Sequence, residues 1–109
     1  MDEFAAIADP TRRAIIEKLA LQGRLSASQI SDQFPISPQA ISQHLKILRE
    51  AKVVFMDKRA QQRIYRINLD AMQGIENWAK QMAQLWNERF DVIEALLEEE
   101  NSKTDEDKS

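Results

Sequence analysis

Two helix-start signals lie close together near the middle of the chain. Residues 26–29 form a capping box, in which Ser26 and Gln29 satisfy each other's free backbone amides. Ser37 then precedes Pro38, which suits the first helical position because the N–H that proline lacks would have no partner there. Pro35 stops the first helix between the two signals. The sequence therefore predicts a short helix over 27–33, a tight turn, and a longer helix from Pro38 to about residue 51.

A short helix, a turn and a longer amphipathic helix form the helix-turn-helix layout. The longer helix has an apolar face, and polar residues fall on the opposite side at helical spacing. Glutamine can pair with adenine, serine is adaptable, and lysine can reach guanine or a phosphate. The same stripe would also suit a plain solvent-facing helix, and the neighbouring elements favour DNA. The candidate DNA-binding residues of this helix are Pro38, Gln39, Ser42, Gln43, His44 and Lys46.

Two segments rich in strand-forming residues follow, over 53–58 and 63–69. The second alternates apolar and polar side chains, a period of two that is typical of a strand. A polar turn over 59–62 joins them, so the pair forms a β-hairpin, or wing, directly after the helix-turn-helix. Basic and amide side chains at a hairpin tip suit phosphate or minor-groove contacts, although they can also serve solubility alone. The candidates there are Arg59, Gln61, Gln62 and Arg63.

Helices are also predicted on both sides of this motif. Asp9 and Pro10 repeat the N-cap signal and begin a helix that runs to about residue 22, with Gly23 after its end. A brief helix is also predicted within residues 1–8. Asp70 is predicted to cap a long helix that reaches about Leu97. The fold class expected is mostly α with a small β-hairpin, a winged helix-turn-helix with a long C-terminal dimerisation helix.

The long helix has more large apolar side chains than one face of a small winged domain can cover. Burial of an aromatic side chain contributes about 2–3 kcal/mol, and several left exposed would favour aggregation. A two-fold interface with a second copy resolves this excess. The alternatives are that the residues pack within their own monomer, or that the two tryptophans line a ligand pocket. The predicted dimer interface comprises Phe4, Ile7, Ile75, Trp78, Met82, Leu85, Trp86, Phe90 and Ile93.

Charge is distributed unevenly along the chain, whose formal net charge is −3. Residues 37–66 contain seven basic and two acidic residues, a local excess that suits phosphate neutralisation. Residues 98–109 are acidic and polar, with no apolar anchor, so we expect a disordered tail after a single DNA-binding and dimerisation domain over residues 1–97. The basic residues could equally form an ordinary solvated face, so the charge alone does not decide between these interpretations.

Composition excludes several classes of function. The chain has no cysteine, which excludes disulfides, thiolate metal sites and thiol catalysis, and it has a single histidine, His44. It has only two glycines, no glycine-rich phosphate loop and no paired carboxylates in a predicted cleft, so we do not expect an enzyme, a metal site or a cofactor. No apolar run is long enough to span a bilayer and no export leader is evident; the expected location is cytoplasmic.

In three stretches, residues 8–13, 37–51 and 63–67, the sequence resembles the ArsR family of winged-helix repressors, and the likeness covers about residues 4–97. The resemblance implies a homodimer built on the terminal helices, with the helix from Pro38 in the major groove and the wing at flanking phosphates. Many members sense metals through cysteines or histidine–carboxylate pairs that this chain lacks, which indicates the metal-independent branch. Members usually have glycine where this chain has Lys52, and often at the wing tip, where it has Ala60 and Gln61.

These observations together predict a transcriptional repressor that binds an inverted repeat in double-stranded DNA as a homodimer. Two alternatives stay open at this point: a winged-helix dimer that acts only as a protein-interaction module, and a sensor of an organic effector bound near the tryptophans. The sequence reveals neither the operator nor any small-molecule effector.

Overall fold

A computed structural model describes the backbone of residues 1–107 and the side chains of residues 1–101. The described part is mostly helical with a small antiparallel sheet, as the sequence predicts. It contains α1 (Glu3–Ala6), α2 (Pro10–Gln22), β1 (Leu25–Ser26), α3 (Ala27–Ser31), α4 (Pro38–Glu50), β2 (Val54–Arg59), β3 (Gln62–Ile67) and α5 (Leu69–Asp107). Met1–Ile75 forms one compact unit, and the rest of α5 belongs to a second.

The predicted helix starts are confirmed by their hydrogen bonds. The Asp9 carboxylate accepts the backbone N–H of Arg12 at 3.0 Å, and the Ser37 hydroxyl accepts that of Ala40 at 3.1 Å. The capping box before α3 is complete, because the Ser26 hydroxyl accepts the N–H of Gln29 at 3.1 Å while the Gln29 side chain accepts the N–H of Ser26 at 2.8 Å. These caps fix the two helices of the motif.

The turn between α3 and α4 begins earlier than predicted. α3 ends at Ser31, and the next amides bond in a tighter pattern, with Gln33 N–H donating to the Ile30 carbonyl at 3.0 Å. Phe34 N–H likewise donates to the Ser31 carbonyl at 3.3 Å. The predicted helix over 27–33 is therefore wrong at its C-terminal end, where Pro35 prevents a further helical turn.

The end of α4 is a Schellman motif. The Val53 N–H donates to the Leu48 carbonyl at 2.9 Å, and the Lys52 N–H donates to the Arg49 carbonyl at 3.0 Å. This geometry puts Lys52 in the left-handed region, with φ of 61°, and Ala60 at the hairpin turn has φ of 55°. Both are positions where the family resemblance leads us to expect glycine, and in both the structure keeps the backbone conformation without it.

The sheet has three antiparallel strands in the order β1-β3-β2. The two-residue strand β1, absent from our sequence prediction, pairs Leu25 with Tyr65 and Ser26 with Ile64. In the hairpin, the register places Arg59 opposite Gln62. The turn is therefore two residues long rather than the predicted four.

The core lies where α2, α3 and α4 meet the inner face of this sheet. Its buried side chains are Ala6, Ile15, Leu19, Leu25, Ile30, Ile41, Leu45, Leu48, Val53, Val54 and Tyr65. Ser26 is also buried, and its hydroxyl is used in the capping box. The core therefore fixes the exposed face of α4 relative to the wing.

The start and the end of α5 both differ from the sequence prediction. The Asn68 side chain, rather than that of Asp70, caps the helix, since its Oδ1 accepts the Asp70 N–H at 3.2 Å. The same side chain donates through Nδ2 to the Lys52 carbonyl at 2.8 Å. The helix continues past the predicted end near Leu97, so the backbone of 98–107 is helical where the sequence predicts a disordered tail; Lys108 and Ser109 lie outside the described residues. None of the helices in the described chain combines the length and apolarity needed to cross a membrane.

Candidate nucleic-acid interface

The polar stripe of α4 is exposed as the sequence predicts. Ile41, Leu45 and Leu48 are buried in the core, which turns the opposite side of the helix outward. Five of the candidate residues are exposed: Pro38, Gln39, Ser42, Gln43 and Lys46. α4 thus presents amide, hydroxyl and ammonium groups on a helix whose position is fixed by its own buried face.

His44 lies apart from that stripe. Its side chain is half-buried, with Nδ1 at 3.9 Å from the Asp9 carboxylate at the start of α2. Nδ1 has no hydrogen-bond partner within the part of the chain whose side chains are described. The Arg12 backbone N–H that Asp9 accepts holds the pKa of that carboxyl below its usual 3.8, and the charges of Arg12 and His44 act in the same direction. His44 is positioned beside the α2 N-terminus, not among the exposed side chains.

The wing tip lies beside the N-terminal half of α4. A cleft of about 410 Å³ is lined on one side by Pro38 and Ser42, and on the other by wing residues. Those wing residues are Gln61, Gln62 and Arg63, three of the four candidates predicted at the tip. Ser28, Ser31 and Asp32 of the α3 region also line this cleft and were missed by sequence reasoning, because nothing local relates α3 to the hairpin.

A second, smaller cleft lies further along α4. Its volume is about 140 Å³, and it is lined by Ser42, Gln43, Lys46, Arg49, Arg63 and Tyr65. Ser42 and Arg63 line both clefts, so the two form adjoining parts of one surface. Arg49 was not among the predicted site residues, although its spacing of three from Lys46 and seven from Ser42 puts it on the same side of the helix.

The two faces of the wing differ in their charged groups. Side chains alternate along a strand, so Arg63 and its cross-strand neighbour Lys58 share the inner face with buried Tyr65. Arg59 lies on the outer face with Arg66.

On that outer face, Arg66 is engaged within the hairpin itself. Its Nε is 3.4 Å from the Asp57 carboxylate, and its guanidinium lies 4.6 Å from the centre of the Phe55 ring. Lys58, which is not among the predicted site residues, shares the wing face of Arg63, whereas Arg59 does not.

The predicted dimer residues fall into two groups. On α5, Trp78, Met82, Leu85, Trp86, Phe90 and Ile93 are between 41% and 68% exposed. Phe4, Ile7 and Ile75 are only half-exposed, and Ile7 packs against the core of its own unit. In the described residues there is no cluster of three or more His, Cys, Asp or Glu side chains that could hold a metal ion.

Comparison with known proteins relates this chain to transcriptional regulators. Residues 9–54, from the cap of α2 to the first residue of β2, match the family model described as "Bacterial regulatory protein, arsR family". The transcriptional repressor SdpR of Bacillus subtilis is 40% identical over 75 residues, which cover 69% of this chain and 82% of that protein. The chain belongs to the ArsR family.

Two further similar proteins extend the likeness over most of the chain. The HTH-type transcriptional regulator Rv2034 of Mycobacterium tuberculosis is 30% identical over 101 residues, which cover 93% of this chain and 91% of that protein. The solved structure of an ArsR-like transcriptional regulator from Rhodococcus sp. RHA1 superposes with a TM-score of 0.73 at 28% identity, covering 85% of this chain and 87% of the other. The predicted winged helix-turn-helix and its class of function, DNA-binding transcription regulation, are thereby confirmed.

Proposed function

We propose that this ArsR-family protein is a sequence-specific repressor that binds an inverted-repeat operator as a homodimer. The observation that carries the proposal is the exposed stripe of α4 beside a basic wing tip, joined through the two clefts that Ser42 and Arg63 share. A relative that is 40% identical is named a transcriptional repressor, which supports repression rather than activation of transcription.

The exposed side chains of α4 match the chemistry of the major groove. Gln39 and Gln43 can each form paired hydrogen bonds with adenine, and a good pair contributes about 1–3 kcal/mol of discrimination against a wrong base. The wing, with Gln61, Gln62 and Arg63, extends the same surface toward flanking phosphates and the minor groove. In this proposal α4 lies in the major groove and the wing follows the backbone.

The homodimer is supported by the exposed apolar residues of α5. Trp86 is 68% exposed and Phe90 is 54% exposed, and each would gain about 2–3 kcal/mol from full burial against a partner. Two copies related by a two-fold axis would place their α4 helices about 34 Å apart, which is one turn of DNA. In this proposal residues 1–97 form the DNA-binding and dimerisation domain, and regulation belongs to the metal-independent branch.

Fluorescence anisotropy with DNA from upstream of the gene, and with a scrambled duplex, tests DNA binding at several salt concentrations. The wild-type protein should prefer its own DNA, with a steep salt dependence. The Gln43→Ala/Lys46→Ala variant should lose that preference. The matched control, Gln73→Ala/Lys80→Ala, removes the same residue types from the side of α5 opposite the large apolar residues and should bind as wild type does.

Equal and weak binding of both duplexes, unchanged in the α4 variant, would contradict the proposal and favour a protein-interaction module. Sedimentation equilibrium tests the assembly separately. Trp86→Ala/Phe90→Ala should shift the wild-type dimer toward monomer, whereas Gln73→Ala/Lys80→Ala should leave it unchanged. A wild-type monomer at micromolar concentration would refute the homodimer.

A further inference from the structure

The smaller cleft between α4 and β3 brings together three cations. Lys46 and Arg49 come from α4, and Arg63 comes from the wing. None of the six residues that line this cleft is acidic. Among residues 1–101, no carboxylate lies within ion-pair distance of any of the three cations. A cleft with three cations and no internal counter-charge is built to receive an anion.

The remaining groups of the cleft suit a tetrahedral oxyanion. Ser42 contributes a hydroxyl, and Tyr65 lines the cleft although it is only 5% exposed and its ring is part of the core. Arginine is favoured where phosphate must be held by several donors at once. The cleft volume of about 140 Å³ is large enough for one phosphate group.

The exposed surface of α4 carries two adjoining rows of polar side chains. Ser42, Lys46 and Arg49 recur at spacings of four and three, and they line the side of the helix that faces Arg63. Gln39 lines neither cleft and Gln43 lines only the smaller one. The two glutamines are four residues apart and Gln43 is three residues from Lys46, so they form a row that adjoins the cleft side of the helix.

We propose that Lys46, Arg49 and Arg63, with Tyr65 and Ser42, form a phosphate clamp that holds one backbone phosphodiester per half-site, while Gln39 and Gln43 read the bases. This inference rests on the proposed DNA-binding function and deepens it. It assigns Lys46 to the backbone rather than to guanine, and it adds Arg49, which belongs to neither the wing tip nor the predicted recognition stripe. Binding through the clamp positions the protein without carrying sequence information.

Anisotropy titrations separate the two roles on α4. Arg49→Gln should weaken binding to native and scrambled DNA by the same factor and reduce the salt slope by about one. Gln43→Ala should reduce the preference for native DNA and leave the salt slope unchanged. Arg24→Gln is the matched control, because Arg24 is exposed and lines neither cleft; it should change the slope less than Arg49→Gln does.

A series of duplexes, each with one neutral methylphosphonate, identifies the phosphate that is bound. At one position in each half-site, the methylphosphonate should weaken wild-type binding by about the factor that Arg49→Gln causes. At that position the methylphosphonate should not weaken DNA binding by the Arg49→Gln variant any further. The clamp is refuted if the losses of DNA affinity caused by the methylphosphonate and by Arg49→Gln multiply at every position. It is also refuted if Arg49→Gln lowers the ratio of affinities for native and scrambled DNA. In both cases sequence-specific binding by α4 stands.

Inorganic phosphate distinguishes a DNA phosphodiester from a free phosphate ligand. Calorimetric titration at constant ionic strength should show no saturable binding of phosphate, because the clamp takes its anion as part of the duplex. Saturable binding that is lost in Arg49→Gln would overturn the assignment to DNA and identify a site for a free phosphate or phosphate ester. If the wild-type protein binds neither duplex, the proposed DNA-binding function fails. If it then also fails to bind inorganic phosphate, the phosphate clamp is refuted as well.

Discussion

Replacement of Lys52 by glycine should stabilise the protein. Lys52 occupies the left-handed position that closes α4, with φ of 61°. The two hydrogen bonds of the Schellman motif, from Lys52 to the Arg49 carbonyl and from Val53 to the Leu48 carbonyl, require that conformation. Glycine adopts it without the clash between Cβ and the backbone that any L side chain suffers.

The magnitude follows from two opposing terms. A non-glycine residue in the left-handed region costs about 1–2 kcal/mol. Glycine gives up about 0.4–1 kcal/mol of this gain because it has more freedom in the unfolded chain. Lys52→Gly should therefore raise the free energy of unfolding by about 0.5–1 kcal/mol. In a domain of this size, 1 kcal/mol corresponds to roughly 4–8 °C in Tm.

Urea unfolding followed by circular dichroism, at a fixed protein concentration, measures this difference. Lys52→Ala is the control, because it removes the lysine side chain and keeps a Cβ at the same φ. The free energy of unfolding of Lys52→Ala should stay within about 0.5 kcal/mol of the wild-type value, which is the usual range for a surface substitution. If the alanine and glycine variants are equally stable, the left-handed strain is not the cause and the reasoning is refuted.

Three further predictions concern other parts of the fold. Asn68→Ala removes both the cap of α5 and the donor to the Lys52 carbonyl, and should cost about 1–2 kcal/mol in urea unfolding, with Asn68→Asp between it and wild type because it retains the cap. Leu48→Ala should cost about 2–5 kcal/mol, since Leu48 is fully buried, and the folded variant should keep the wild-type preference for native DNA. The lowered pKa of Asp9 stabilises the protein above pH 3.8, and this contribution is lost as the pH falls through the folded-state pKa. The urea midpoint of the wild-type protein should therefore fall more on acidification than that of Asp9→Asn. Parallel pH profiles of the two midpoints would contradict a stabilising role of the Asp9 carboxylate.

Features that depend on residues close in sequence were predicted well. An N-cap acts on the amide three residues later, so Asp9, Ser26 and Ser37 identify their helices without knowledge of the rest of the fold. The amphipathic pattern of α4 likewise identifies the exposed stripe. In these cases the local sequence is enough to predict the structure, because each contact joins residues only a few positions apart.

Features that depend on distant residues were not predicted. The two residues of β1 are too few to show a pattern, and they become a strand only because β3 lies beside them. The sequence places His44 among the candidate DNA-binding residues, whereas its position near Asp9 follows from the packing of α4 on α2. The wing tip shows the same limit, since a turn of two residues instead of four determines which face carries Arg59 and which carries Arg63.

Ser26 belongs at once to the sheet and to the helix-turn-helix, and this has a mechanical consequence. It pairs with Ile64 of the wing and caps α3 through its own hydroxyl. A wing that swings as a separate arm must therefore break a strand pairing and disturb a buried cap together. The wing and the helix-turn-helix are therefore mechanically coupled through Ser26. In the proposed dimer, operators that differ in curvature would be accommodated by bending of the DNA or by a change in the distance between the two DNA-binding units.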